Sequence, residues 1–454
     1  MDEFGDWRQL VTGMREGSGD ADQNGNKTRE KQKLRAKALP SVRTSDRVVS
    51  LRVLLLGIAT RLVNALDNAM SYVAISVFLL AAHMVRDADL LSIPQAETEV
   101  LEKTPNTLRQ VHVFFRHGER MPTSLYPTGP NKPSDFKDGL GRITIRGKKD
   151  LYAMGEQLRK RYERFLTGDT NEIKARSSGR DRCLESMQTM LAALYKPETE
   201  RKFRPELDWQ PVPIATMPVD IDGMLYEDAT CRKDDEAVET LRVTGEGKDV
   251  MEKYKDLMEK LQENSGKKMN DWVSVRDLLD TLRIEKSLGL QTPSWADEPT
   301  LNEMQECAKY TTLLNFKQDE RIRFRAGLLL KDISMHFDDV VNNAPKHKIY
   351  AYASHDVLVS AYLSAFDAFN GFAVPSSAAV LIELHEDEPG QYRVQTFFRN
   401  NTDTGAIEPV HVAGCKENGC WLAVWKDKVS RFIPSDWREE CGEPPLPVKV
   451  YDFH

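Results

Sequence analysis

The chain has no cysteine before residue 183, no surplus of positive charge and, one stretch apart, no long hydrophobic run. Each shortage excludes something. With 63 Lys and Arg against 70 Asp and Glu the formal net charge is −7, which argues against nucleic acid as a main partner. No segment repeats at solenoid period, so a stacked-repeat architecture is excluded. Cys415 and Cys420 lie close together, but no second pair with ligand spacing stands near them, which leaves a structural zinc site without its ligands. At 454 residues the chain exceeds the usual single-domain size, and either one large domain with an inserted lobe or two domains with appendages is expected.

Residues 1–68 are polar, with mixed charges and a Gly/Asp/Asn-rich patch, and bury too little apolar surface to offset the entropy of ordering. Residues 69–85 form the one long apolar run, at the lower limit for crossing a bilayer and interrupted by His83. Three readings stay open for it: an uncleaved signal-anchor, a removed signal, or a buried helix. Lys and Arg upstream would leave the N-terminus cytosolic and the rest lumenal or extracellular, so the first two readings send everything from about residue 90 into the secretory pathway. Residues 86–106 read as a linker.

Chemistry concentrates where two apolar runs stop. Val111, Val113 and Phe115 alternate with His112 and Phe114 as in a buried strand. Arg116, His117, Gly118 and Arg120 follow, closed by Pro122. In an open α/β sheet the loop outside a strand's carboxyl end is where ligands bind. An imidazole between two guanidiniums suits phosphoryl transfer: a neutral ring attacks phosphorus while planar Arg forks hold the oxygens. A second strand over residues 348–353 runs into Ser354, His355 and Asp356, where Asp356 reads either as a proton donor or as a helix N-cap. Between them, small and polar residues 175–181 lead through Arg182 into a helix, whose N-terminus favours an anion.

The string Arg116-His117-Gly118-Glu119-Arg120-Met121-Pro122 resembles the R-H-G-x-R-x-P signature of the histidine acid phosphatases, and Ser354-His355-Asp356 resembles their later His-Asp motif. Residues 176–182 resemble a third element of that family, with Gly179 where its pattern carries Asp. The resemblance covers roughly residues 107–442. It implies an α/β fold: a mixed central sheet flanked by helices, with a smaller helical cap lobe at about 225–320 inside a domain reaching residue 454. It implies a metal-free and cofactor-free phosphoric monoester hydrolase in which His117 is the nucleophile, Asp356 the proton donor, and Arg116, Arg120, Arg182 and His355 the phosphate ligands. It also implies disulfides Cys231–Cys441 and Cys415–Cys420; Cys183 and Cys307 are left over, either as two buried thiols or bonded to each other.

The partner is then a small phosphomonoester, with inositol phosphates or a lysophospholipid phosphate as alternative substrates. An inactive secreted or tethered binding protein is the reading from another class. A homodimer is open, and a membrane enters only through residues 69–85. The charged helical stretch at 236–290 holds no residue type that calls for a catalytic role. Asn400, followed by Asn401 and Thr402, is a glycosylation acceptor usable only in a lumenal domain. A carboxyl proton donor predicts best activity below neutrality.

Overall fold

The computed structural model describes residues 107–371, 373–400 and 405–446. The extension, the apolar run at 69–85 and the linker lie outside the described residues, as does Thr402 of the glycosylation triplet, while Asn400 itself is half-buried. Among the described residues no helix is long and apolar enough to cross a membrane.

A sheet organises the body. Its strands are β1 (Leu108–Arg116), β2 (Ile173–Ser177), β3 (Ile214–Ala215), β4 (Ile349–Ser354), β5 (Ala379–Glu388), β6 (Gln391–Arg399), β7 (Glu408–Pro409) and β8 (Cys420–Trp421). The order is β3-β2-β4-β1-β5-β6-β7, with β8 also on β6. The strands β3, β2, β4 and β1 run parallel, and β5 to β8 continue the sheet antiparallel. The central strands carry apolar residues on both faces because helices cover both, and every residue of β4 is buried. Val111, Val113 and Phe115 turn one way, into a core shared with Leu151, Met154, Met187 and Leu191. Those four lie on α1 (Ile145–Arg161) and α2 (Asp181–Leu194). Burying side chains of this size stabilises the fold by about 1.5–3 kcal/mol each.

The helical lobe follows β3. It comprises α3 (Arg232–Val243), α4 (Gly245–Lys253), α5 (Lys255–Ser265), α6 (Trp272–Ser287), α7 (Glu298–Ala308) and the short α8 (Tyr310–Leu313). These helices close over a core of their own around Trp272, Leu261, Leu278 and Met304. The chain returns to the sheet through α9 (Asp319–Val341), where Arg321 and Arg325 both pair with the buried Asp234 of α3. Cys231, just before α3, is bonded to Cys441 at the end of α12 (Trp437–Glu440), and Cys415 is bonded to Cys420. Cys183 and Cys307 are buried free thiols. Burial pushes each of them up to about 12, so both stay protonated. Two helices remain, α10 (Asp356–Ser364) and α11 (Leu422–Ser430).

Candidate active site

Register alone aligns the sequence motifs. Arg116 stands opposite Ser354 and Ser177 opposite Ala353, so β1, β2 and β4 end at one level. His117 leaves β1 with its N–H donating to Ser354 O at 3.0 Å, and Ser178 N–H donates to Ala353 O at 3.0 Å. His355 and Asp356 follow β4 directly, with Asp356 opening α10. Arg182 sits in the first turn of α2, just past β2. The loop after β1 is held by a bridge from Arg120 to Ile143 and by Thr144 Oγ1–H donating to Glu119 Oε1 at 2.7 Å.

Two glycines here serve packing. A Cβ on Gly118 would lie 2.7 Å from Leu151 Cδ1 and 3.1 Å from Gly147 O, so its bareness lets the loop rest on α1. A Cβ on Gly179 would lie 2.7 Å from Met217 O, which explains a glycine at the position where the resembled pattern carries Asp.

His117 is 3% exposed. Its Nδ1 lies 2.9 Å from Gly118 O. A carbonyl oxygen can only accept, so Nδ1 carries the ring proton and the Nε2 lone pair is free. Burial first, then the charges of Arg116, Arg120 and Arg182 and the nearby His355, hold the imidazole well below its ordinary range. The ring therefore stays neutral, hence nucleophilic, in acid. The three guanidiniums share a further feature: Arg116, Arg120 and Arg182 each keep a buried Nε–H with no partner among the described residues. Buried donors left unpaired are unfavourable by about 1–3 kcal/mol apiece.

Each cation is meanwhile engaged by a carboxylate. Arg116 Nη2 lies 3.2 Å from Asp356 Oδ2, Arg120 Nη1 lies 2.9 Å from Asp280 Oδ2, and Arg182 Nη2 lies 3.8 Å from Glu227 Oε1. Asp356 Oδ1 accepts the N–H of Val357 at 2.9 Å in the first turn of α10, whose N-cap is His355, and Oδ2 is left to Arg116. Burial opposes charge on Asp356, but Arg116, with Arg276, His355 and Arg120, outweighs it and holds the carboxyl well below the usual range. Glu227 shifts the opposite way: burial and the charge of Asp356 raise it, and Arg276 and Arg182 do not compensate. Two carboxylates in one buried site do not both ionise readily.

His355 is fully buried. Arg182 Nη2 lies 3.2 Å from its Nδ1, and a guanidinium only donates, so that nitrogen accepts here and Nε2–H points to Ser178 Oγ at 3.1 Å. Burial and Arg182 keep the ring neutral. To donate to a phosphate from Nδ1 it would have to exchange tautomers.

The structure thus brings together all six residues picked out by the sequence. It adds Glu227, from the loop after β3, and Arg276 and Asp280, one turn apart on α6. The helical lobe does supply charged groups to the site. On the sequence these read as a solvated helix face and an ordinary loop acid, and no spacing signal distinguishes them.

Three comparisons with known proteins bear on this arrangement. The description of the histidine phosphatase superfamily (branch 2) matches residues 107–399. Prostatic acid phosphatase of Bos taurus is 33% identical over 342 residues, covering 74% of this chain and 88% of the bovine one. Lysosomal acid phosphatase of Xenopus laevis is 32% identical over 341 residues, 74% of this chain and 78% of its own. Among solved structures, a phytase of Klebsiella sp. ASR1 superposes with a TM-score of 0.56 at 14% identity, covering 75% of this chain and 98% of that one. A Hafnia alvei phytase in complex with myo-inositol hexakis sulphate gives 0.54 at 16%, covering 74% and 98%. At such identity the likeness is one of fold.

Proposed function

The chain belongs to branch 2 of the histidine phosphatase superfamily, and from that premise we propose that it is an acid phosphatase working through a covalent phosphohistidine on His117. It is a phosphoric monoester hydrolase. The observation that carries the mechanism is the neutral His117 ring, its Nδ1–H tied to Gly118 O, set among three Arg side chains with unpaired Nε–H donors.

In the proposed sequence Arg116, Arg120 and Arg182 take the phosphoryl oxygens, with His355 alongside. Nε2 of His117 forms a bond to phosphorus as the ester P–O bond breaks. Asp356 gives its proton to the departing alcohol oxygen, because expelling an unassisted alkoxide is slow. Before substrate arrives Arg116 keeps Asp356 ionised. A bound phosphoryl group that draws Arg116 toward itself lifts that restraint, so the carboxyl gains its proton as substrate arrives. Water then attacks phosphorus, the P–N bond breaks, and Asp356 takes back a proton.

The experiment is direct. Rapid quenching with labelled substrate is expected to leave acid-labile phosphate on His117, and His117→Ala is expected to abolish both label and turnover. Hydrolysis of an aryl phosphate is expected to be unchanged by a chelator, because the guanidiniums supply the positive charge that a metal otherwise would. Full turnover by His117→Ala would remove the nucleophile.

The relatives' names support a lysosomal or secreted protein, and the disulfides Cys231–Cys441 and Cys415–Cys420 suit an oxidising compartment. Residues 69–85 are then the segment that delivers the domain there, as a signal or a signal-anchor. N-terminal sequencing of the processed protein tells these apart.

A further inference from the structure

Glu227 stands beside two of the proposed phosphate ligands and has no part in the reaction above. Its Oε1 lies 3.4 Å from His355 Nδ1 and 3.8 Å from Arg182 Nη2, two of the groups proposed to hold phosphate, and its Oε2 is buried with no partner among the described residues. His355 Nδ1 accepts from Arg182, so an ionised Glu227 would set an acceptor against an acceptor. The charged groups facing it come from every element around it: Asp356 on α10, Arg276 on α6, Arg182 on α2, His355 at the end of β4, and Asp228 beside it in the loop. Asp356 supplies one negative charge before substrate arrives, and a bound phosphate brings its own.

We propose that Glu227 is a positioning residue that must carry a proton for a phosphate ester to bind, so that it competes for Arg182 and His355 when ionised and donates to a phosphoryl oxygen when neutral. Phosphate binding is then coupled to one proton on this side chain, which sets the alkaline limb of activity. Its protonation in mildly acidic solution agrees with the direction in which burial and Asp356 move it. The inference rests on the phosphatase reading, and no bond to Glu227 forms or breaks in turnover.

The test is the pH profile of kcat/KM for 4-nitrophenyl phosphate in the wild type and in Glu227→Gln. The ionisation of the substrate is common to both, so any difference belongs to the enzyme. The expected result is an alkaline limb displaced upward by about one pH unit or more in the variant, with competitive inhibition by inorganic phosphate losing the same pH dependence. Superimposable limbs in an active variant would overturn the proposal. A second measurement needs no variant: sulfate keeps its charge across this range, so its inhibition constant for the wild type is expected to rise about tenfold per pH unit above the carboxyl's pKa. A flat constant is equally fatal. A wild type without activity on the aryl ester would count against the phosphatase reading, whereas an active wild type with unmoved profiles counts against Glu227 alone.

Discussion

His117 and Asp356 meet the same surroundings with opposite results. His117 is buried and Asp356 half-buried near Arg116 and Arg120, and those cations disfavour the charged form of an imidazole while favouring that of a carboxyl. His117, as the proposed nucleophile, is therefore ready in acid, whereas Asp356, as the proposed proton donor, is not. On that proposal its proton becomes available only when a phosphoryl group shares the guanidiniums. Asp356→Asn, which keeps the shape and removes the proton, is expected to slow an alkyl phosphate by roughly 10²–10⁴ in kcat. The loss is expected to be much smaller for 4-nitrophenyl phosphate, whose leaving group needs little protonation. Equal losses on the two substrates, read as steady-state kcat, would assign Asp356 to binding instead. The His-Asp pair was legible as a motif. Which oxygen of Asp356 takes the Val357 N–H and which faces Arg116 was not, since one side chain does both.

At the scale of elements, three parallel strands ending at one level do most of the assembly. The ends of β1 and β4 could be anticipated from apolar runs that stop at polar motifs, whereas β2 could not, its residues reading only as a small and polar lead into a helix. Leu151, Met154 and Leu158 fall on the buried side of α1 as their spacing predicts. Helix α6 was legible as a helix but not as part of the site. Arg276 and Asp280, four residues apart, share a face that any charged amphipathic helix presents to water, and only docking of the lobe turns it to Arg120. We propose that this docking bears on substrate choice, because Asp280 on Arg120 and Glu227 near Arg182 set carboxylates against two of the three cations proposed to hold phosphate. Wild type is expected to prefer 4-nitrophenyl phosphate over inositol hexakisphosphate. Asp280→Asn is expected to narrow the ratio of their kcat/KM values severalfold, and a widened ratio would contradict this account of α6.

For the whole molecule, Cys231–Cys441 joins positions 210 residues apart. It lies in a small core with Tyr226, Phe324 and Trp437, against which Gly223 packs so closely that a Cβ there would meet the Trp437 ring at 2.6 Å. The segment between Gly223 and Cys231 carries Glu227, so the crosslink fastens the loop that reaches the phosphate ligands. Cys231→Ser is expected to destabilise the fold by about 2–5 kcal/mol, measured as a lowered midpoint in denaturant. It is also expected to raise KM more than it lowers kcat, because the loop lies beside Arg182 and His355 while His117 is held by β1. An unchanged midpoint would mean the bond adds nothing to the fold.

By itself the sequence determined the strand and helix periods, the residues that stop each strand in a nucleophile, cations or an acid, and the family, because these are local patterns of side-chain type. Tertiary structure alone decided the charge state of each group and the company it keeps. Glu227, Arg276 and Asp280 have no local signature. Their influence on the site comes from distance and burial, which arise only when the helical lobe closes over the ends of the strands.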